Sequence, residues 1–279
     1  MSPFIGRSGP DRDGLTPVDS LMEAEEGRRT NLDVLPIFLC EKRRKPESLR
    51  IVAFTGSGFR FGARPDVLVT CWHCVSSEPE GQIFAVAVEL ATGTYGVHPL
   101  VDLEQDANGS DLAVARIHGI DIEPQLNFTL APRVVPGGTD VWTWGYPLTE
   151  KTRDPSGGNR FTLHGRYLQG YTTRAFWYEH HLYGRTPSYE LDMPLPEGLS
   201  GAPLVKLPGP EVVGVVFGQH DVARIEESAS LDPNTGERNT EVQRIVSFGL
   251  AHYTSTLANL TGAPTSGARL ADYLSEVPS

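Results

Sequence analysis

Ser200 lies in "PEGLSGAPLVKL", on a tight bend flanked by Gly198 and Gly201 and directly ahead of a run that reads as a buried strand. No helix follows for its hydroxyl to cap, and no neighbour in sequence is an obvious partner for it. A serine hydroxyl is a weak nucleophile until a base takes its proton. An imidazole does this best when a carboxylate fixes its tautomer and steadies its charged form. Two distant stretches offer those groups. "VLVTCWHCV" carries His73 at the end of an apolar strand, where a side chain can emerge from a barrel rim, and "NGSDLAVARI" carries Asp111 after a Gly-Ser bend and before another strand. Acyl transfer through an activated alcohol is the chemistry such a trio can do. Taken singly, each residue also has a plain structural role: G-x-S-G is common in turns, a rim suits His73, and Asp111 suits the turn before a strand.

The elements that must hold these groups read as β. The 29 Gly and 22 Pro in 279 residues imply many turns between short elements, and 39% hydrophobic content can supply a core. From position 32 onward the chain offers "LDVLPIFLC", "RIVAFTGSGFRF", "DVLVTCWHCV", "QIFAVAVEL" and "DLAVARI". Their β-branched and aromatic content and their spacing predict an antiparallel barrel. A Pro/Gly-rich connection, "NFTLAPRVVPGGTD", leads to a second set: "DVWTWGYPL", "RFTLHGRYLQGYTT", "SYELDM", "APLVKL", "EVVGVVFGQ" and "RIVSFGLAHY". Two half-chains of one texture predict two packed barrels, about 32–128 and 133–252. Residues 1–31 read as a flexible arm with one helical turn in "DSLMEAEEGRR", and the polar stretch 220–243 as a surface loop. A C-terminal helix is expected at about 253–262, and a tail with a short helix at 263–279.

A formal charge of −11 and a pI near 5.2 repel phosphate backbones and anionic lipid, so nucleic acid is excluded as the expected partner. No stretch approaches the roughly 18 continuous apolar residues of a membrane span, and "MSPFIGRSGPDRDGLTPVDS" has no apolar signal core. A soluble, unexported, cytoplasmic protein is expected. Three cysteines give no disulfide framework and suit a reducing compartment.

Three motifs together resemble the trypsin-like (chymotrypsin-fold) serine peptidases, in particular their intracellular and bacterial branch. "TCWHC" is similar to the family's T-x-x-H-C, "SDLAV" to D-[IL]-A-[LV], and "GLSGAPLV…EVVGVVFG" to G-x-S-G-x-P followed by a V-x-G-[IV] strand. The order His, Asp, Ser also matches that fold rather than subtilisin or the α/β-hydrolases. The resemblance spans about residues 32–262. It implies an all-β fold of two packed antiparallel six-stranded barrels with a C-terminal helix, and an endopeptidase that forms an acyl-enzyme on protein or peptide substrates. Ser200 would be the nucleophile, His73 the base and then the acid, and Asp111 the orienting carboxylate. The N–H groups of Gly198 and Ser200 would form the oxyanion hole, and neither metal nor cofactor would be needed.

Departures from the family pattern are informative. Leu199 replaces the Asp that pairs with a cleaved N-terminus in the digestive branch, so the oxyanion turn should form without processing or with a partner's help. Cys74 lacks the family's usual disulfide partner, because the matching strand "FTGSGF" has no cysteine. The primary specificity pocket would be walled by Pro194, Val216, Phe217 and Gly218, an apolar set that favours small or medium apolar P1 side chains. Cys71 and Cys74 form C-x-x-C, read here as buried thiols rather than a zinc site, and His180 and His181 as solvated side chains on opposite strand faces. "RAFWYEHHLY" reads as a strand or loop packed on the second barrel. An unexported protease endangers its own cell, so narrow specificity or a regulatory partner is expected. The competing functions are a catalytically silent scaffold of protease shape and an esterase using the same triad.

Overall fold

The structure is a computed structural model that describes residues 21–24, 33–44, 47–77, 79–90, 95–153, 155, 159–223, 228–231, 235, 238–241 and 246–276. Its strands in chain order are β1 (Leu21–Ala24), β2 (Val34–Arg44), β3 (Glu47–Phe61), β4 (Arg64–Thr70), β5 (Gln82–Glu89), β6 (Tyr95–Gln105) and β7 (Ala113–Ile117). They continue with β8 (Thr129–Leu130), β9 (Asp140–Gly145), β10 (Glu150–Arg153), β11 (Asn159–Leu163), β12 (Arg166–His180), β13 (Gly184–Leu191) and β14 (Pro203–Lys206). Last come β15 (Glu211–Ala223), β16 (Ser228–Leu231), β17 (Arg238–Glu241) and β18 (Val246–Tyr253), followed by the short helices α1 (Thr254–Ala258) and α2 (Leu270–Ser275).

Six antiparallel strands close the first barrel in the order β2-β3-β4-β7-β6-β5, with β5 pairing back onto β2. Bulges in the β2–β3 pairing, at Ile37/Phe38 and Leu39/Cys40, supply the extra bend that closure of a small barrel needs. The second barrel runs β14-β9-β12-β13-β18-β15 and is sealed by the β14–β15 pairing, with β8 added parallel to β15. The all-β architecture of two six-stranded barrels is therefore as expected from sequence. Val34, Phe59, Leu68, Val69 and Val114 from the first barrel share one apolar cluster with Val212, Val215, Phe217 and Leu250 from the second. That shared core fixes the two barrels against each other.

Three local readings are corrected. Leu21–Ala24 is a strand, parallel to β11 in a small sheet with β10, rather than part of a helical turn; its backbone bonds outweigh the helix propensity of "LMEA". The polar stretch after His220 is not a plain loop: β15 runs on to Ala223, and β16 and β17 pair antiparallel. His181 lies in the turn after β12 rather than on the strand, so its ring stacks on His180 at 4.8 Å instead of pointing to the opposite face. The "RAFWYEHHLY" segment does pack on the second barrel. Its inner face, Phe176, Tyr178 and His180, meets Phe217 and His220, with Tyr178 and Phe217 rings 5.8 Å apart.

Candidate active site

Strand β4 ends at Thr70, and a single 3-10 turn, Trp72–Cys74, presents His73 at the barrel rim. The cysteines on either side anchor that turn on the opposite barrel. Cys71 Sγ–H donates to the Val216 carbonyl at 3.2 Å and Cys74 Sγ–H to the Ser200 carbonyl at 3.5 Å; both thiols are free and buried, as expected. Asp111 is held just before β7 by a hydrogen-bonded turn. Buried Asp106 accepts from Ser110 Oγ at 2.7 Å and from Asn108 Nδ2 at 3.2 Å, and its carbonyl accepts the Gly109 N–H at 2.7 Å.

The two side chains meet. Asp111 Oδ1 accepts the His73 backbone N–H at 2.9 Å, and Oδ2 lies 2.7 Å from His73 Nδ1. A carboxylate acceptor there fixes a ring proton on Nδ1, so Nε2 is the nitrogen left to gain or lose a proton. Burial alone would raise the Asp111 pKa. The approach of His252 and His73 overrides it and holds the carboxyl well below the usual carboxylate range. For His73, burial pulls the other way, yet the hydrogen bond and negative charge of Asp111, with the Cys74 sulfur beside it, push its pKa up to about 10. Two neighbours of this pair had no signal in sequence. His252, on β18 and fully buried, brings Nε2 to 3.9 Å from Asp111 Oδ2, with the Phe217 ring 4.4 Å away. Tyr183 arrives from the β12–β13 turn, where burial and then the Asp111 charge raise its pKa.

Ser200 comes from the other barrel. Its carbonyl accepts the Ser57 N–H at 2.9 Å and also the Cys74 thiol, the group next to His73 in sequence. The hydroxyl itself donates to the Phe217 carbonyl at 3.3 Å rather than to His73. Gly198 has φ +96°, and a Cβ there would lie 2.6 Å from the Tyr146 carbonyl and 2.9 Å from the Phe54 ring, so only glycine fits the turn. Among the described residues neither the Gly198 N–H nor the Ser200 N–H has a hydrogen-bond partner.

Of the four residues expected to wall a pocket, Val216 and Phe217 are buried, Gly218 is half-buried and Pro194 is exposed. Val216 is fully buried among the second-barrel core residues, whereas Phe217 turns to His252 and Tyr178, because successive strand residues face opposite ways. The Phe217 carbonyl accepts the Ser200 hydroxyl, and its ring packs on His252. Pro194 is exposed, and it is Leu195 that turns inward, against Gly249. Gln219, also unmarked by sequence, accepts the Leu195 N–H at 3.2 Å through Oε1. Gly218 lies beside it on β15, half-buried.

Cys71, His73 and Asp111 offer three donor atoms within 4.8 Å of one another. They do not suit a metal. Burial, then the Asp111 charge, raises the Cys71 pKa well above its ordinary value, so its sulfur keeps its proton, and His73 Nδ1 is already committed to the carboxylate.

An Asp-oriented imidazole on one closed six-stranded barrel, facing a serine turn on a second, defines the chymotrypsin-like class of serine peptidases. The family model described as "Trypsin-like peptidase domain" matches residues 56–215, more than half of the chain. The protein belongs to that family and is a serine endopeptidase. Among solved structures it resembles the active form of the Rv3671c protease from M. tuberculosis, at 18% identity and a TM-score of 0.51, over 93% of this chain and 92% of that one. It also resembles the HtrA-type protease AlgW with a decapeptide, at 17% identity and a TM-score of 0.48, over 82% of this chain but 62% of that one. Identities this low speak to fold alone. No curated protein sequence matches. Among the described residues no helix is long and apolar enough to cross a membrane.

Proposed function

We propose that the protein cleaves protein or peptide substrates through an acyl-enzyme, with His73, Asp111 and Ser200 as its triad. The peptidase unit would be residues 32–262, with 1–31 an arm and 263–279 a tail. The observation that carries this assignment is the pair of bonds that Asp111 accepts from His73, at 2.9 and 2.7 Å, which makes Nε2 the nitrogen that takes up a proton once the imidazole is neutral. For catalysis the Ser200 hydroxyl would leave the Phe217 carbonyl and donate to Nε2. His73 then removes the proton as Oγ attacks the scissile carbonyl, and the oxyanion is met by the N–H groups of Gly198 and Ser200. The imidazolium returns its proton to the leaving amine. Water, deprotonated by the same imidazole, releases the acid product and regenerates Ser200. Leu199, fully buried in the second-barrel core, supports a turn that needs no processed N-terminus.

Pro194, Gly218 and Gln219 would then form the walls nearest P1. None is charged, so an uncharged P1 side chain is the expected preference. Cleavage of a peptide library chiefly after Arg or Glu would contradict it. We assign the enzyme to the cytoplasm, under narrow specificity or a regulatory partner, from its acidic, cysteine-poor sequence. The hydrogen bond of Ser200 to Phe217 favours one alternative, a catalytically silent scaffold. A fluorophosphonate probe separates the two. Labelling of the parent that disappears in Ser200→Ala supports catalysis, and a folded parent that never labels supports the scaffold.

A further inference from the structure

We propose that Ser57, on β3 of the first barrel, is a positioning residue that holds the oxyanion turn of the second barrel in its donor-ready orientation. Given the acyl-transfer role assigned to Ser200, on which this inference rests, the turn must aim two N–H groups at one point. A trans peptide directs its N–H opposite its carbonyl, so the carbonyl partners reveal where the amides point. Four consecutive carbonyls of the turn are tied down. Glu197 accepts the Leu148 N–H at 3.3 Å, and Leu199 accepts the Ala202 N–H at 2.9 Å. Those two bonds turn the Gly198 and Ser200 amides away from the protein. The other two carbonyls belong to Ser57: its Oγ–H donates to Gly198 at 2.7 Å and its N–H to Ser200 at 2.9 Å.

Ser57 is fully buried, and every polar atom it has is used. Its Oγ also accepts the Tyr146 N–H at 3.3 Å, and its carbonyl accepts Thr70 Oγ1–H at 2.7 Å. Neighbouring glycines make room for it. A Cβ on Gly145 would lie 2.9 Å from Ser57 Oγ, and one on Gly201, where φ is +86°, would collide with the Ser57 carbonyl and the Thr70 hydroxyl. Gly198 is the flexible point of the turn, since without a Cβ it can leave φ +96° cheaply. Removing the Ser57 hydroxyl frees the Gly198 carbonyl, and the peptides on either side can then rotate. The cross-barrel hydroxyl thus does the ordering that a charged N-terminus does where Leu199 is an Asp.

The test uses the full-length chain and its Ser57→Ala, Ser57→Gly, Ser57→Thr and Ser200→Ala variants. Two readouts are the rate of acylation by a fluorophosphonate and the steady-state hydrolysis of p-nitrophenyl acetate, with thermal melting to select folded variants. Loss of one oxyanion donor costs about 10²–10³ in turnover, so a turn that is ordered only part of the time should cost roughly 10- to 100-fold. Ser57→Ala is expected to lose that factor in acylation and in kcat at unchanged KM, and Ser57→Thr, which keeps the hydroxyl, to recover most of it. Ser57→Gly, which keeps the N–H bond to Ser200, should show the same loss and stands in if the alanine variant does not fold. Parental acylation by folded Ser57→Ala or Ser57→Gly would overturn the proposal while leaving Ser200 as nucleophile. A parent chain that never labels would overturn both.

Discussion

Peptide hydrolysis by Ser200→Ala and by His73→Ala is expected to fall by about 10⁶-fold each, and the double variant no further, because the two groups act as one unit. The structure gives the reason in hydrogen-bond terms. A carbonyl cannot take a proton at neutral pH, so the Phe217 carbonyl that holds the Ser200 hydroxyl cannot act as its base. Asp111 cannot substitute either, since it is fully buried behind His73 with both oxygens engaged by that residue. Removing the imidazole therefore leaves an alcohol with no acceptor strong enough to activate it, and removing the alcohol leaves a base with nothing to activate. The rates are compared by kcat on a chromogenic peptide, after active-site titration to exclude traces of parental enzyme. A His73→Ala variant within tenfold of the parent, or losses that multiply in the double variant, would place the base elsewhere.

Asp111→Asn is expected to lower turnover about 10⁴-fold while the fold persists. The carboxylate accepts two donors from one residue, the His73 backbone N–H and the ring Nδ1–H. An amide has one acceptor and one donor end, so it satisfies the first and opposes the second. The ring answers by moving its proton to Nε2, the atom that must be bare to accept from Ser200. The pH profile supplies a second signature. Only neutral imidazole serves as base, so kcat/KM should rise with pH through the His73 pKa, on the alkaline side of the ordinary value of 6.5. Burial opposes protonation of His73, whereas the Asp111 hydrogen bond and charge favour it. Without that charge the ascending limb should move to lower pH. An unmoved limb, or a loss below tenfold, would show that Asp111 does not govern the imidazole.

The three motif residues were legible because their chemistry is local: a strand end for the histidine, a Gly-Ser bend for the aspartate and a glycine-flanked bend for the serine. The barrels were legible for a related reason, since turn residues and β-branched runs alternate through most of the chain. What sequence did not reveal is whatever depends on register or on contact between distant strands. Ser57 reads as one more turn residue in "TGSGF" until β3 is set against the serine turn. His252 reads as an isolated histidine on a strand, and only the closure of β18 onto β13 and β15 brings it near Asp111. Which side chains of β15 face a substrate is likewise a matter of register. The pairing of β15 with β18 slips between Val216 and Gly218, and one such shift decides which faces the neighbouring side chains take. Leu21–Ala24 was misread because its partner, β11, lies far away in sequence.

Bonds from Ser57, Cys71 and Cys74 to Val216, Gly198 and Ser200 cross between the halves of the molecule. A nascent chain therefore exposes its imidazole on the ribosome well before the alcohol's platform has been synthesised. Under the proposed mechanism neither half carries out acyl transfer alone. Under that mechanism competence waits until the late-made half docks.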